Sequence, residues 1–470
     1  MVLSIRHSGI STFLGVLVVV ALVGACTSTQ ATPSVGPSAT VAAPSATPMG
    51  SPPPVPTIPD VTFKWFSGQG ACVNYGPLAY DLGYLDELGL KPDANSWKGS
   101  FGGDQPGLLV SKSADLASSY LPMLIPTIHG APGALTTFML TDLFVGFEII
   151  GNPNGNYKSV EDFVSEGMSR ADAERAAVEQ IKGKVFVHPA APSLAGFFNW
   201  VFDKATHGVA LDEVQDKALA DDTAALAEAL AGRADFHFGS APQMAALMGK
   251  GWKPIIGAVD GLKSTTPGPD SPVMLMIGQC TLTTQTDYAT ANHDTILRIA
   301  GVVYRIMDLY ANDPTGAATV EVKIINEFNG TNLSVDDMLA MYQTQVQHPT
   351  FEQAAEWYNN KENSTYWEYP VAAQIKLQEQ NGVFPAGKYK PSDAVTADKV
   401  YAELVSLKQQ AEANLANVTP RVDALAASGK DITTLKELVS KAQTFLSHRA
   451  YLDAMTFAAA AKEWADYLGS

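Results

Sequence analysis

The chain repeats one local pattern, a short apolar strand followed by a loop of small and polar residues and then a helix. The pattern occurs at 61–89, where FKWF precedes the loop SGQGACVNYG, and again at 184–208, where KVFV precedes HPAAPS. A second pair of segments, 114–130 and 234–249, has the same pattern. Strands that alternate with helices build a sheet covered by helices. The sequence therefore predicts two α/β lobes of similar construction.

Four loops follow the strands of this pattern, at 67–74, 118–120, 188–193 and 239–243. In open α/β sheets, small ligands bind where strands end, because the next helices present unpaired N–H groups there. Two facing lobes place such loops around a cleft. The loops contain no lysine or arginine that would hold a sulfonate or phosphate. The residues predicted to bind a ligand, in and beside these loops, are Ser67, Gln69, Asn74, Ser118, Ser119, Tyr120, His188, Ser193, His237 and Ser240.

Several of these residues also have a structural interpretation. The serines that end the predicted strands, at 118–119, 193 and 240, suit the N-cap of the following helix. Phe236 and Phe238 alternate with His237, so the two aromatic rings are predicted to share a core-facing side while His237 points the other way. For the histidines of this set, a buried structural role is the alternative to ligand binding.

The first sixty residues are predicted to be an export signal and a tether. The apolar run ISTFLGVLVVVALVGAC at 10–26 is short for a membrane span and ends in Val-Gly-Ala-Cys. It resembles the signal of bacterial lipoproteins, in which residues 1–25 are removed and Cys26 receives lipid; an uncleaved anchor helix is the alternative. Residues 26–60 are rich in Pro, Ser, Thr and Ala, which favours a disordered tether. The chain is therefore expected outside the cytoplasm, anchored by lipid to the cell membrane.

Charge and cysteine usage narrow the function classes. The formal net charge is −17 and lysine and arginine form no cluster, so no nucleic-acid partner is expected. Once Cys26 is assigned to lipid, Cys72 and Cys280 remain. Outside the cell these two residues either form one disulfide bond or stay two buried thiols, and the sequence leaves both states open.

Longer segments carry a family resemblance. GYLDELGLKPD at 83–93, IKGKVFVHPAAPS at 181–193 and the block at 221–251 resemble, in this order, segments of ABC-transporter substrate-binding proteins of the nitrate/sulfonate/taurine type. The segments 113–130 and 277–314 are similar to further blocks of the same family. The order of these segments is more specific than any one of them.

The resemblance implies a two-lobed periplasmic-binding-protein-like fold at 61–395, with lobe 1 at about 61–145 and 274–395 and lobe 2 at about 146–273. It further implies a monomer that closes around a small polar or anionic ligand and delivers the ligand to an ABC permease in the membrane. Closure is expected about crossover strands near 137–150 and 264–276.

Two features depart from the family, an insertion before Lys182 and a long segment at 315–395, so the identity of the ligand does not carry over. The chain has no nucleophile elbow GxSxG, no HExxH motif and no P-loop, and its eight histidines are dispersed. We therefore predict no catalytic residue, no metal ligand and no cofactor. The alternatives are a surface scaffold or adhesin, and an exported enzyme on the same fold, such as a thiamine-precursor synthase.

Residues 396–470 are predicted to form an appended helical hairpin or bundle. Apolar residues recur there at spacings of three and four, as in amphipathic helices. Pro420 is expected to interrupt the first helix, with Gly429 as a stop and Asp431 as a cap before the next. Packing against the main body explains the apolar stripe; contact with a partner or with the cell envelope is the alternative.

Overall fold

A computed structural model describes residues 51–67, 74–93, 105–190, 194–239, 241–266 and 268–470. The predicted export signal, its lipidation site Cys26 and the tether up to residue 50 lie outside these residues. Residues 51–60 form no helix or strand, but Ile58 packs against the C-terminal helices. A Cβ atom at Gly89 would lie 2.6 Å from the carbonyl oxygen of Pro59. The last residues of the predicted tether therefore contact the folded body.

The described strands are β1 (Val61–Phe63), β2 (Trp65–Phe66), β3 (Leu90–Pro92), β4 (Leu116–Tyr120), β5 (Leu135–Phe144), β6 (Glu148–Gly151), β7 (Val185–Pro189), β8 (Gln215–Leu219), β9 (Phe236–His237), β10 (Lys253–Gly257), β11 (Gly278–Gln285) and β12 (Val346–Gln347). The described helices are α1 (Tyr75–Asp81), α2 (Gln105–Val110), α3 (Leu121–Gly130), α4 (Val160–Ser165), α5 (Arg170–Glu179), α6 (Ala195–Val201), α7 (Lys204–His207), α8 (Asp222–Leu230), α9 (Ala241–Met248), α10 (Ala258–Ser264), α11 (Thr286–Ala291), α12 (His293–Asn312), α13 (Pro314–Asn329), α14 (Val335–Thr344), α15 (Ala354–Asn359), α16 (Glu368–Gln380), α17 (Ala397–Ala427), α18 (Thr433–Ser447) and α19 (Tyr451–Gly469). None of these helices is both long enough and apolar enough to cross a bilayer.

Two five-stranded sheets organise the fold. The sheet of lobe 1 has the order β12-β5-β11-β4-β2, and that of lobe 2 the order β10-β6-β9-β7-β8. In lobe 1, β2 and β4 are parallel, and in lobe 2, β7 is parallel to both β8 and β9. A short parallel pair of β1 and β3 extends the first lobe. Helices follow the parallel strands, as the repeated strand, loop and helix pattern predicts.

Each lobe contains one strand that arrives directly from the other lobe. The chain passes from β5 in lobe 1 to β6, which lies antiparallel between β9 and β10 in lobe 2. It returns after α10 to β11, which lies antiparallel between β4 and β5 in lobe 1. This exchange ties the lobes together at two crossings. The two-lobed, periplasmic-binding-protein-like α/β fold with an appended helical segment is therefore confirmed.

The central strands are buried on both faces, which explains their continuous apolar and threonine-rich sequences. All eight residues of β11 are buried. The threonine hydroxyls of this strand form hydrogen bonds within the sheet. Oγ1 of Thr283 lies 3.1 Å from Oγ1 of Thr137 and 3.3 Å from Oγ1 of Thr281. The sheet therefore forms a rigid platform for the residues at its strand ends.

The C-terminal helices form a bundle with its own apolar core. Leu415 and Val418 on α17, Leu435 and Leu438 on α18, and Phe457 on α19 belong to this core. The predicted amphipathic character of the segment is thus observed. The bundle is fastened to lobe 1, because α17 contacts β5 and α19 contacts α12.

The predicted interruption at Pro420 is wrong, since α17 continues through that residue to Ala427. Pro420 lies on the exposed face of the helix, where water can bind the carbonyl group that loses its helical hydrogen bond. Val418 before the proline and Leu425 after it both pack in the core of the bundle, which keeps the helix continuous. The helix ends instead beside Gly429, the predicted stop, whose φ of 78° is left-handed. A further boundary near Arg449, with a φ of 62°, separates α18 from α19. The sequence does not reveal this boundary, because contacts with lobe 1 set it.

Cys280 lies in β11, is fully buried and takes part in a disulfide bond. The other two cysteines, Cys26 and Cys72, lie outside the described residues. The sequence left open whether Cys280 is a free thiol or part of a disulfide bond, and in the structure it is part of a disulfide bond. Its pairing with Cys72 stays a prediction.

Candidate functional site

The strand ends of the two lobes meet near the crossing from β5 to β6. Phe147, in the short crossing segment, packs edge-on against Tyr120 from the end of β4, with ring centroids 5.9 Å apart. The same Phe147 ring lies 5.8 Å from Phe197 and 5.7 Å from Phe238, both in lobe 2. Aromatic packing therefore fills the hinge side of the space between the lobes.

Away from the hinge, the lobes are joined by a polar contact. The Nε2 atom of Gln243, near the start of α9 in lobe 2, donates to Oδ1 of Asn329 at the end of α13 in lobe 1, at 3.1 Å. Gln243 is buried, and Ala245 on the same helix packs against the apolar cluster of α13 and α14. The structure thus represents a conformation in which the two lobes are in contact.

Three predicted ligand residues place buried polar atoms at the strand ends of lobe 1. Ser67 follows β2, Ser119 lies in β4, and Asn74 precedes α1; all three are buried. The hydroxyls of both serines and both polar atoms of the Asn74 amide have no hydrogen-bond partner among the described residues. The hydroxyl of Tyr120 is in the same state. A buried polar group without a partner costs about 1–3 kcal/mol, so this concentration marks the strand ends as a candidate binding site.

Ser118 differs from its neighbour, because its hydroxyl has a partner in the core. Nε1 of Trp65 on β2 donates to Oγ of Ser118 at 2.9 Å. The interpretation of Ser118 and Ser119 as N-caps is wrong, since both lie inside β4 and the N-cap of α3 is Tyr120. The strand runs three residues further than the predicted loop at 118–120 allows, because its backbone pairs with β11 as far as Tyr120.

The two histidines of lobe 2 lie in different surroundings. His188 on β7 has both ring nitrogens engaged, with Nδ1 2.8 Å from the carbonyl oxygen of Pro189 and Nε2 2.8 Å from Oδ1 of Asp216. His237 on β9 is fully buried, and neither of its ring nitrogens has a partner among the described residues. Burial lowers the pKa of His237 to about 3, with a smaller contribution from His188, so the ring is neutral at physiological pH.

The predicted alternation along β9 is confirmed. Phe236 and Phe238 belong to the core that contains Phe147 and Phe197, whereas His237 packs edge-on against Trp252 at 6.4 Å. Gln69, Ser193 and Ser240 lie outside the described residues. For all ten predicted residues, ligand contact itself stays a prediction.

A set of buried polar and ionisable residues lies beside Asn74 and was not predicted from the sequence. We call it the carboxyl cluster; it consists of Asn74, Tyr75, Asp142, Tyr310, Glu321, Tyr342 and His348. Tyr75 OH donates to Oδ2 of Asp142 at 2.6 Å and lies 3.3 Å from Nδ1 of His348. Tyr310 OH donates to Oε2 of Glu321 at 2.9 Å, and Tyr342 OH donates to the same oxygen. The only sequence signal was one acidic residue within each of two apolar segments, TTFMLTDLFVGF and AATVEVKII.

The carboxyl cluster lies level with the strand-end residues. Asp142 on β5 and Tyr120 on β4 are both register partners of Cys280 on β11. Burial raises the pKa of Asp142 to about 8, against the hydrogen bond from Tyr75 that lowers it. Burial likewise raises the pKa of Glu321 to about 7, against the hydrogen bonds from Tyr342 and Tyr310 that lower it. At neutral pH, the cluster therefore holds protons that exposed carboxyl groups would release.

The described residues contain no group of three or more histidine, cysteine, aspartate or glutamate side chains arranged to hold a metal ion. The arrangement instead offers buried hydrogen-bonding groups and two protonatable carboxyl groups level with the strand ends of lobe 1. Such a site suits the reversible binding of a small polar molecule.

No protein-family model matches the chain, and no curated protein matches it in sequence. Solved structures are similar to it. The alkanesulfonate-binding protein SsuA from Xanthomonas axonopodis pv. citri, bound to MOPS, is 15% identical over 71% of this chain and 97% of its own, with a TM-score of 0.48. The periplasmic nitrate-binding protein NrtA from Synechocystis PCC 6803 is 12% identical over 73% and 88%, with a TM-score of 0.49. A mutant of DSZB in complex with biphenyl-2-sulfinic acid is 11% identical over 74% and 99%, with a TM-score of 0.46.

Proposed function

We propose that the chain is an extracytoplasmic solute-binding lipoprotein that closes its two lobes around a small polar ligand and delivers it to an ABC importer. The observation that carries this proposal is the concentration of buried polar atoms, on Ser67, Asn74, Ser119 and Tyr120, that have no partner among the described residues. An inert scaffold gains nothing from such groups, because each one destabilises the folded protein. A ligand that hydrogen-bonds to them offsets that cost.

Closure of the lobes is the proposed mechanism. The chain crosses between the lobes twice, so bending at the crossings moves one sheet relative to the other without breaking either. The contact between Gln243 and Asn329 forms when the lobes approach. Ligand contacts to both lobes then stabilise the closed conformation, which is the form that a permease distinguishes from the open one.

Lipid attachment at Cys26 is proposed from the sequence, with 27–60 leading from the lipid to the folded body. A Cys26→Ser variant is expected to move from the membrane fraction to the soluble fraction. Incorporation of labelled fatty acid into the wild type, and not into this variant, gives a direct readout. Retention of the variant in the membrane would contradict lipid anchoring.

Binding is tested by thermal-shift and calorimetric screening of the purified chain against nitrate, sulfonates, bicarbonate, amino acids and pyrimidines. A ligand that binds only the folded state raises its melting temperature. Ser119→Ala is expected to weaken binding about two- to tenfold, the effect of one lost hydrogen bond, with little change in stability. Ser118→Ala is the matched comparison, because it removes the partner of Trp65 and is expected to lower stability instead. Chemical turnover of a bound compound would contradict the proposal and favour an enzyme.

A further inference from the structure

Two carboxyl groups of the carboxyl cluster are buried without a cationic partner. Asp142 and Glu321 are both 0% exposed. Among the described residues, no lysine or arginine lowers the pKa of either carboxyl group. The negative charges of both carboxyl groups raise the pKa of the neighbouring Tyr75. Most buried carboxylates in proteins are paired with a cation or a metal, because burial of an isolated charge is costly.

Each carboxyl group has one oxygen engaged and one oxygen without a partner. In Asp142, Oδ2 accepts from Tyr75 while Oδ1 has no partner among the described residues. In Glu321, Oε2 accepts from Tyr310 and Tyr342 while Oε1 has none. The phenols thus orient both carboxyl groups and leave one acceptor of each available.

Asn74 and His348 add two further buried polar groups. The Asn74 side chain is 2% exposed, and neither its oxygen nor its nitrogen has a hydrogen-bond partner among the described residues. Nδ1 of His348 lies 3.3 Å from the hydroxyl oxygen of Tyr75, which also contacts Asp142. The His348 ring stacks on Tyr310 at 4.1 Å, and its Nε2 atom has no partner among the described residues.

We propose that the carboxyl cluster receives a protonated amine of the ligand, so that the solute carried by this protein is a small molecule with an ammonium group. The inference rests on the proposed binding function and specifies its substrate class. Among the described residues, Asp142, Glu321 and Asn74 each have a side-chain oxygen without a partner. These oxygens accept hydrogen bonds from an ammonium group, and the ionised carboxylates attract its charge while repelling nitrate or a sulfonate. The predicted cleft loops contain no lysine or arginine to balance an anion.

The protons held by the carboxyl cluster predict whether ligand binding releases or takes up protons, which can be measured. An ammonium group stabilises the ionised carboxylates, so its binding releases the protons that Asp142 and Glu321 hold. The other titratable groups that face them are Tyr75, Tyr310 and Tyr342, whose pKa values burial raises further, and His348, whose pKa burial lowers to about 3. Only the two carboxyl groups therefore titrate between pH 6 and 8 within the cluster.

The test uses pairs of compounds with and without an amine: γ-aminobutyrate and butyrate, taurine and ethanesulfonate, and putrescine and butanediol, in which two hydroxyls replace the two amines. The purified full-length protein is titrated calorimetrically with each compound. At least one amine is expected to bind, and to bind more than about tenfold tighter than its amine-free partner. Titration in two buffers of different ionisation enthalpy is expected to show proton release, with affinity that rises from pH 6 to pH 8.

Variants locate the effect. Asp142→Asn and Glu321→Gln keep the shape of the side chain and are expected to weaken amine binding about tenfold or more, as for hydrogen bonds to charged groups. Glu174→Gln is the control, because Glu174 is also buried, at 4% exposure, but lies in lobe 2 beside His207. The measurements on the wild type decide the sign of proton transfer even if one variant does not fold.

The outcomes separate the inference from the proposed function. Tight binding of nitrate or ethanesulfonate, with proton uptake and loss of affinity as pH rises, would overturn the ammonium site and leave the solute-binding function intact. Equal binding of both members of each pair would also overturn it. Failure of every compound of the amine, neutral and anionic sets to bind would count against both.

Discussion

Arg298 on α12 of lobe 1 donates to both carboxylate oxygens of Asp453 on α19, from Nε at 3.0 Å to Oδ2 and from Nη2 at 2.9 Å to Oδ1. Both side chains are buried. This bidentate pair joins the C-terminal bundle to the body of the protein. Asp453→Ala leaves a buried guanidinium without its partner, so it is expected to lower the free energy of unfolding by about 3–5 kcal/mol in urea denaturation.

The control for this prediction is Glu412→Ala, which removes the exposed pair between Lys408 and Glu412 on α17. Exposed pairs at this spacing contribute about 0.5 kcal/mol or less. Equal, small effects of both variants would mean that the pair between Arg298 and Asp453 does not fasten the bundle.

Gly301 allows α12 to approach the turn between α18 and α19. A Cβ atom at this position would lie 2.5 Å from the carbonyl oxygen of Arg449, which is backbone and cannot move alone. Gly301→Ala is therefore expected to destabilise the protein by about 1–3 kcal/mol in thermal or urea unfolding. Gly107→Ala in α2 meets no atom within 4 Å and is expected to be neutral or slightly stabilising. The reverse order of the two variants would contradict the close approach.

The fold was predictable from the sequence where the signals are local. Apolar strands followed by small-residue loops indicated the parallel strands of both lobes, and the predicted stop at Gly429 has a left-handed φ of 78°. The predicted interruption at Pro420 was wrong and the boundary near Arg449 was not predicted, because both depend on packing between distant segments. Local propensity carries no information about such packing.

For the same reason, the strand-end residues of the candidate site could be predicted from the sequence, but the carboxyl cluster could not. Ser67, Asn74 and Ser119 could be selected because they follow or end predicted strands. Asp142, Glu321 and His348 come together from three elements, and each looks like an isolated polar residue in the sequence. Their buried state becomes visible only when β5, α13 and the segment after β12 are packed around α1.

Protonation of Asp142 makes stability depend on pH. The pKa of this carboxyl group is raised in the folded protein to about 8 from 3.8, so the folded state binds more protons than the unfolded state between these values. Its contribution to stability is therefore present at low pH and is lost as the pH rises from about 4 to 8. Asp142→Asn removes this dependence, so its stability relative to the wild type is expected to improve by about 1 kcal/mol or more between pH 5 and pH 8. Urea denaturation at both pH values measures the change; a constant difference would contradict the raised pKa.

His237 has the opposite dependence. Burial lowers its pKa to about 3, so between this value and 6.5 the unfolded state binds more protons than the folded state. Its contribution to stability is present at neutral pH and is lost as the pH falls through this window. As the pH falls from 7 to 4, the free energy of unfolding of His237→Asn is expected to decrease by about 1 kcal/mol less than that of the wild type. Ligand affinity of the same variant decides whether His237 also contacts the ligand: a loss above about tenfold supports contact, and an unchanged affinity assigns the residue a structural role.

The hydrogen bond between Gln243 and Asn329 joins the lobes away from the hinge, where a small change in energy shifts the balance between open and closed forms. Asn329→Ala removes the acceptor and is expected to destabilise the closed form by about 0.5–1.5 kcal/mol, which weakens ligand affinity about two- to tenfold. Small-angle scattering of the ligand-free variant is expected to show a larger radius of gyration than that of the wild type. Asn312→Ala, which removes a comparable bond to the backbone of Asp308 at the end of α12, is the control within one lobe. Equal affinities and equal radii of gyration in both variants would mean that the contact between Gln243 and Asn329 does not stabilise the closed form. The aromatic packing around Phe147 alone would then have to control the bending at the two crossings.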